Sequence, residues 1–377
     1  PDWVTVISGC RLFFYNQNIT KALGDARTPV FGSPFSFYGV LRITQPMDPQ
    51  FLVFGKLTRE YLLPPDGPAR LDVPGGGLLY AAAGLRVWES EIGLVGRVGN
   101  DFPREWLNMC IQRGLDTSGI RVLPRDLDVR DFISYNESFE PNRVNPVSHF
   151  ARRGLTFPKA LLGYQPPDPK KKPDEARMLT VTDIPYDYLT ARGALLCPMD
   201  LVTQTQLIAG MKRGSVHTFV LDPGPATMTP TARRELPALL NGVTAFLPSQ
   251  EELCNLFWGE TYDLWEMAES VSVYGCEYVV IKCGARGQLL YDTNTKKKWE
   301  IPAYPARLTD PTGAGEAFCG GFLAGYCKNY DPLEGVLYGN ISASLKLEGS
   351  GAFYPLDVLP GLAKARLGAL RDMVRTV

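Results

Sequence analysis

The chain has 377 residues, and its 39 Lys and Arg stand against 40 Asp and Glu for a net charge of −1. That balance supplies no basic surface for a nucleic acid or an anionic membrane, and 45% hydrophobic with 21% charged residues excludes a disordered chain. The 37 glycines and 31 prolines are the unusual feature, about 18% of the chain against ~12% as typical usage, so many tight backbone positions are expected.

Residues 1–50 alternate polar and apolar around Val4, Val6, Leu12 and Phe14, and again at Phe37, Val40 and Ile43. They read as a β-rich extension of short strands. Residues 51–54 make a buried-strand pattern that ends at Gly55. From there short apolar runs, at 219–222, 245–247 and 278–281, alternate with helical candidates such as 250–257 and 263–274. This repetition predicts an α/β fold with a mostly parallel central sheet and helices on both faces. In such sheets ligands bind at the carboxyl ends of the strands.

Two segments interrupt the alternation. Residues 130–153 read as two strands around a loop holding Pro141 and Pro146, and His149 falls on the second. Residues 158–177 carry five prolines and Lys170-Lys171-Lys172, and read as a solvated surface insertion. No run of about 18 apolar residues is present to span a membrane, and residues 1–12 make a poor signal peptide. The eight cysteines form no Cys-x-x-Cys pair, and His149 and His217 are the only histidines, which argues against a structural zinc. Buried, reduced thiols and a cytoplasmic location are expected.

The segment that carries chemistry is Asp310-Pro311-Thr312-Gly313-Ala314-Gly315-Glu316-Ala317-Phe318. Two glycines flanking an alanine at a helix start let the backbone turn tightly and present free N–H groups to an anion. A carboxylate just beyond, Glu316, is placed to take a proton from a hydroxyl attacking phosphorus. The alternative is an acidic residue that merely stabilises a helix start, and the segment alone leaves both open.

This stretch resembles the second signature of the PfkB/ribokinase family of sugar and nucleoside kinases, Asp-Thr-x-Gly-Ala-Gly-Asp. Other segments are similar to the family in the same order. They are the opening strand at 51–57, the turn Pro74-Gly75-Gly76-Gly77, and Gly93-Leu94-Val95-Gly96-Arg97-Val98-Gly99-Asn100-Asp101. Then follow Val220-Leu221-Asp222-Pro223-Gly224, Pro248-Ser249-Gln250-Glu251-Glu252, and Val280-Ile281-Lys282-Cys283-Gly284-Ala285-Arg286-Gly287.

Over residues 51–360 the resemblance implies a three-layer α/β/α kinase domain at 51–377. A small β lid would draw on residues near 60–73 and 130–153. It further implies ATP and Mg²⁺, a monovalent cation such as K⁺, and a small-molecule acceptor. Gly313, Ala314 and Gly315 would form the anion hole and Glu316 would be the catalytic base. Lys282, Gly284, Gly287 and Asn340 would contact the nucleotide. Glu60, Gly76, Gly77, Tyr80 and Asp101 would contact the substrate. Glu252 would serve Mg²⁺, and Asp310 the monovalent cation. A homodimer through the lid or the N-terminal strands is a further expectation.

Departures from the family pattern bear on activity. Glu316 replaces the catalytic Asp, Pro311 a Thr, Ser249 an Asn, Tyr80 an Asn and Glu60 an Asp. Tyr80 would either stack on a planar substrate or fill space. Arg97 would reach a phosphate or pair with Asp101, and Cys319 reads as packing. Two functions stay open: a kinase with a reshaped pocket, or a pseudokinase that binds a nucleotide without turnover. A dinucleotide oxidoreductase fits less well, because no Gly-x-Gly-x-x-Gly follows the first strand.

Overall fold

The computed structural model describes residues 3–8, 11–16, 49–168 and 174–376. The chain divides into residues 1–45 and residues 46–377. In the first unit β1 (Trp3–Ser8) and β2 (Arg11–Asn16) form an antiparallel hairpin, with Trp3 opposite Asn16 and Ser8 opposite Arg11. The strands expected at Phe37, Val40 and Ile43 lie outside the described residues, as do Lys170, Lys171 and Lys172.

The second unit begins with β3 (Phe51–Phe54), the ribbon β4 (Thr58–Leu63) and β5 (Arg70–Gly75), and α1 (Gly77–Arg86). Next come β6 (Ile92–Val98), α2 (Arg104–Gln112), β7 (Leu115–Val122), β8 (Arg130–Tyr135), β9 (Pro141–Asn142) and α3 (Pro146–Arg152). Strands and helices then alternate through β10 (Gly193–Leu196), α4 (Leu201–Met211), β11 (Thr218–Leu221), α5 (Leu236–Leu240) and β12 (Ala245–Phe246). After α6 (Gln250–Leu256), α7 (Leu264–Ser272) and β13 (Tyr278–Lys282) comes the hairpin of β14 (Gln288–Asp292) and β15 (Lys298–Ile301). Three helices, α8 (Ala314–Asn329), α9 (Pro332–Leu347) and α10 (Leu362–Arg371), precede β16 (Arg375–Thr376).

Among the described residues ten strands make the central sheet, ordered β16-β15-β14-β13-β12-β11-β10-β3-β6-β7. From β13 to β7 every pairing is parallel, while β14, β15 and β16 are added antiparallel at one edge. The expected α/β architecture therefore holds, and side-chain alternation explains it. Phe51, Val53, Val220 and Val280 enter one core with residues of α1, α8, α9 and α10. Leu52, Phe54, Phe219, Leu221, Val279 and Ile281 enter the other, with residues of α4, α5, α6 and α7. Strands apolar on both faces must be covered on both faces, and each fully buried large apolar side chain contributes about 1.5–3 kcal/mol.

A second sheet, β5-β4-β8-β9, stands apart from the first. Its own core holds Tyr61, Leu63, Phe132, Phe150, Leu161 and Tyr164. Residues 141–153 differ from the expected strand. Only Pro141–Asn142 pair with β8, and His149 lies on α3. Asn145 caps that helix by accepting from the Ser148 N–H at 3.4 Å, and Pro146 occupies its first turn, so local helix-start chemistry prevails over strand pattern. The 158–177 segment is also less solvated than expected. Leu161 and Tyr164 are buried in the small sheet's core, and Arg130 Nη1 donates to the carbonyls of Ala160 at 2.6 Å and Leu162 at 3.0 Å.

One close approach sets the geometry of the site. A Cβ on Gly320 of α8 would collide with the Ala81 carbonyl of α1, and one on Gly84 of α1 with the Ala317 carbonyl of α8. The two helices thus touch backbone to backbone, which brings Gly77, at the start of α1, next to the first turn of α8.

Candidate active site

The site grows from the turn that opens α8. Gly313 is the N-cap with φ of 74°, a left-handed conformation suited to glycine, and a Cβ there would collide with the Tyr80 ring. Among the described residues no side chain caps the helix, so its first turn offers main-chain N–H groups and the positive end of the dipole to an anion. Ala314 N–H turns back to the Pro311 carbonyl at 3.2 Å.

The turn is anchored from three sides. Thr309 N–H and Asp310 N–H donate to the Leu347 carbonyl at 2.8 and 3.1 Å. Asp310 Oδ1 accepts from Thr312 N–H at 2.9 Å. Thr312 Oγ1 lies 2.9 Å from Tyr135 Oη at the end of β8, which ties the small sheet to the turn.

Glu316 projects from this first turn toward Gly77, where a Cβ would stand 3.6 Å from Glu316 Cγ. Burial raises its carboxyl above the usual range and Asp222 adds to that, while Lys282, its own main-chain N–H and Arg143 pull it back. Lys282, ending β13, donates to Asp222 Oδ1 at 2.6 Å and lies 3.6 Å from Cys319 Sγ. A Cβ on Gly315 would sit 3.7 Å from Lys282 Nζ, so this ammonium stands beside the open helix turn. Burial works against its charge, but Asp222, Cys319 and Glu252 outweigh it and hold the ammonium well above its ordinary pKa. Burial pushes the Asp222 carboxyl up to about 6, and Lys282 pulls it back down. The Cys319 thiol, buried beside acids, is held protonated.

Glu252 belongs to the same cluster. Its Oε2 accepts from Ser249 N–H at 2.7 Å and Ser249 Oγ at 2.9 Å, and Ser249 Oγ accepts from Glu252 N–H at 3.2 Å. This reciprocal capping of α6 shows what Ser249 does in place of an Asn. Burial raises the Glu252 carboxyl, Lys282 and the Ser249 bonds lower it, and Glu316 raises it again. Asp222 thus bonds the Lys282 ammonium directly, while Glu252 and Glu316 feel its charge.

Other expected site residues lie elsewhere or are otherwise engaged. Tyr80 is 2% exposed, its hydroxyl donates to Glu60 Oε2 at 2.6 Å and its ring fills the space under Gly313, so it presents no face to a ligand. Glu60, also 2% exposed, accepts from Gly76 N–H at 2.8 Å and fixes the start of α1 instead of meeting substrate. Asn340 is engaged within the fold. It donates both amide hydrogens, to Gln288 Oε1 and the Pro302 carbonyl at 2.8 Å, and accepts from Tyr304 N–H at 2.9 Å, so it has no donor left for a base.

Gly287 is packed against residues 301–303, whereas Gly284 is open. Asp101 is exposed and accepts from Leu127 N–H at 3.0 Å, which makes it a turn anchor. Arg97 pairs with Asp183 at 2.7 Å, a third outcome beside the two expected. Asp310 faces no metal-type opening, because the Lys346 ammonium stands against it, 3.9 Å from Oδ2.

Sequence reasoning missed the residues of the opposite wall. Arg143 pairs with Asp131 at 2.6 Å on the small sheet. Burial pushes the Asp131 carboxyl up while Arg143 and Lys56 pull it down. Arg143 also acts electrostatically on Glu316, and Tyr135 bonds Thr312 in the turn that opens α8. No motif marks these residues; alternation on β8 shows only that Asp131 and Phe132 point to opposite faces.

A helix N-terminus at the carboxyl ends of parallel strands, with a carboxylate and an ammonium beside it, is an arrangement suited to holding a phosphate in an α/β protein. Residues 178–359 match the pfkB family carbohydrate kinase model. The cytidine kinase of Thermococcus kodakarensis is 28% identical over 284 residues, 75% of this chain and 90% of that one. The Burkholderia thailandensis nucleoside kinase in complex with inosine superposes with a TM-score of 0.62 at 18% identity, over 85% of this chain and 98% of that chain. A fructokinase double mutant from Vibrio cholerae O395, bound to fructose, ADP and potassium, gives a TM-score of 0.61 at 22% identity, over 86% and 99% of the two chains. The chain is thus similar to pfkB-type carbohydrate and nucleoside kinases along most of its length, with the family match itself confined to residues 178–359.

Proposed function

We propose that this protein transfers the γ-phosphoryl group of ATP to a hydroxyl of a nucleoside-like or sugar-like molecule, with Glu316 as the base. The observation that carries this reading is the position of Glu316 in the first turn of an uncapped helix, facing Gly77, with Lys282 beside the same turn. In the step, the acceptor hydroxyl gives its proton to a Glu316 carboxylate oxygen as its own oxygen bonds to the γ-phosphorus. The bond from phosphorus to the bridging oxygen breaks, and ADP leaves with that electron pair. Glu316 then returns the proton to solvent.

The raised Glu316 carboxyl suits this role, since a base works best when its pKa approaches the operating pH. The longer Glu side chain reaches the cleft over Gly77, a residue with no side chain to obstruct it. The first-turn N–H groups of α8 and the Lys282 ammonium would stabilise charge on the transferring group. The Asp131–Arg143 pair would orient acceptor hydroxyls from the small sheet.

The residues present fit a magnesium ion carried by the nucleotide. Among the described residues no cluster of three His, Cys, Asp or Glu side chains is arranged to hold a metal unaided. Mg²⁺ commonly takes one or two carboxylates together with phosphate oxygens and water. Asp222 and Glu252, whose negative charge Lys282 balances only in part, are the residues that would hold it. When bound, the ion would neutralise charge on the phosphates.

Similarity to the cytidine kinase favours a nucleoside acceptor over a free sugar. The test is purified protein with Mg·ATP and a panel of nucleosides, sugars and sugar acids, with phosphorylated product read by mass spectrometry. Glu316→Gln should lower kcat by about 10²–10⁴-fold, the usual worth of a general base. ATP binding without phosphorylation of any acceptor would instead assign a nucleotide-binding module.

A further inference from the structure

We propose that the ammonium of Lys346 is a cation built into this chain, in the position where a monovalent metal ion would otherwise hold the 310–315 turn, so that the protein needs no K⁺. The activity arm of this inference rests on the kinase reading; the binding and stability arms do not.

Lys346 lies in the last turn of α9 and is 0% exposed. Its Nζ donates to the Gly349 carbonyl at 2.7 Å and the Asp310 carbonyl at 3.3 Å. Asp310 Oδ2, 3.9 Å away, is buried and has no hydrogen-bond partner among the described residues. The Tyr80 ring faces the ammonium with its centroid at 5.5 Å. Main-chain carbonyls, a carboxylate and an aromatic face are the donors that a weakly hydrated monovalent cation takes, and here a tethered ammonium has them.

The link to the anion turn runs through one carboxylate. Asp310 Oδ2 faces Lys346, and Oδ1 holds Thr312 N–H directly before Gly313. Without a cation the buried Asp310 carboxylate would be uncompensated, and the turn it holds would loosen. Burial lowers the Lys346 pKa, but Asp310, Glu60 and Glu316 all favour its charged form. Tethering also removes the entropic cost of recruiting a free ion, because the covalent stem fixes the charge at the site.

The experiment compares wild type with Lys346→Ala and Lys346→Met in tetramethylammonium chloride and in KCl at equal ionic strength. Wild type should show the same Tm and the same rate in both salts, and should bind no Tl⁺, a K⁺ surrogate, by ²⁰⁵Tl NMR. Lys346→Ala, which leaves room for an ion, should melt about 5 °C or more lower in tetramethylammonium and recover in KCl. Lys346→Met, which fills that space with an apolar chain, should fall equally and not recover.

A wild-type rate raised tenfold or more by K⁺, or one Tl⁺ bound to wild type, would overturn the proposal. So would a Lys346→Ala protein whose Tm matches wild type in tetramethylammonium. If neither variant folds, Tl⁺ binding and the salt response of wild-type Tm still decide. If no acceptor is phosphorylated, the Tm and Tl⁺ readings stand alone, which separates failure of this proposal from failure of the kinase reading.

Discussion

Glu60 offers a quantitative test of the packing around the anion turn. It is a buried carboxyl that accepts from Gly76 N–H and Tyr80 Oη, with Thr58 Oγ1 at 3.3 Å. Burial pushes it from 4.5 up to about 7, with its hydrogen bonds opposing and the Asp131 charge assisting. Between these two values the folded protein holds a proton that the unfolded chain has released, so stability must fall as pH rises. The contribution is fully present below pH 4.5 and lost as pH rises through 7. That rise in the Glu60 pKa corresponds to about 3 kcal/mol.

Urea unfolding of wild type and Glu60→Gln between pH 5 and pH 8.5 isolates this group, because the other carboxyls titrate in both proteins. The Gln amide keeps an acceptor for Gly76 N–H and a donor for Tyr80 Oη but cannot ionise. Wild type should therefore lose about 3 kcal/mol more than the variant across that range. Parallel curves would refute the buried, proton-sharing contact between Glu60 and Tyr80.

Two further outcomes follow from the site geometry. Tyr135→Phe removes the bond from the small sheet to Thr312, worth about 1 kcal/mol, and should lower kcat/KM by roughly 5-fold while leaving Tm nearly unchanged. Lys282→Met strands Asp222 among other acids and should destabilise by about 3–5 kcal/mol in urea unfolding. The Lys282→Met, Asp222→Leu double variant should regain much of that loss, because it leaves no unpaired charge in the core.

Much of the fold was legible because its signals are local. Alternating apolar runs imply strands buried on both faces, and Phe51 to Phe54 behave that way. The Gly-Ala-Gly-Glu segment announces an open helix start, since a glycine N-cap and a following acid lie within one turn. The strand expected near residues 146–153 is a helix because Asn145-Pro146 starts one, and its Phe150 still reaches the same apolar core. In an isolated stretch, one buried aromatic fits either period.

By itself, then, the sequence determined the layering of the domain, the position of the glycine turn that opens α8 and the acid that follows it. Those features depend on neighbours a few residues apart, through hydrophobic period and turn conformation. The tertiary structure alone decided the pairings that give each charge its role. Lys282 meets Asp222 across 60 residues, Lys346 meets the Asp310 carbonyl across 36, and Tyr80 meets Glu60 across 20. Which buried group faces which depends on strand order and on the contact of α1 with α8. The glycine excess now has a use in that contact, because bare backbone at Gly84 and Gly320 lets the two helices close on the site.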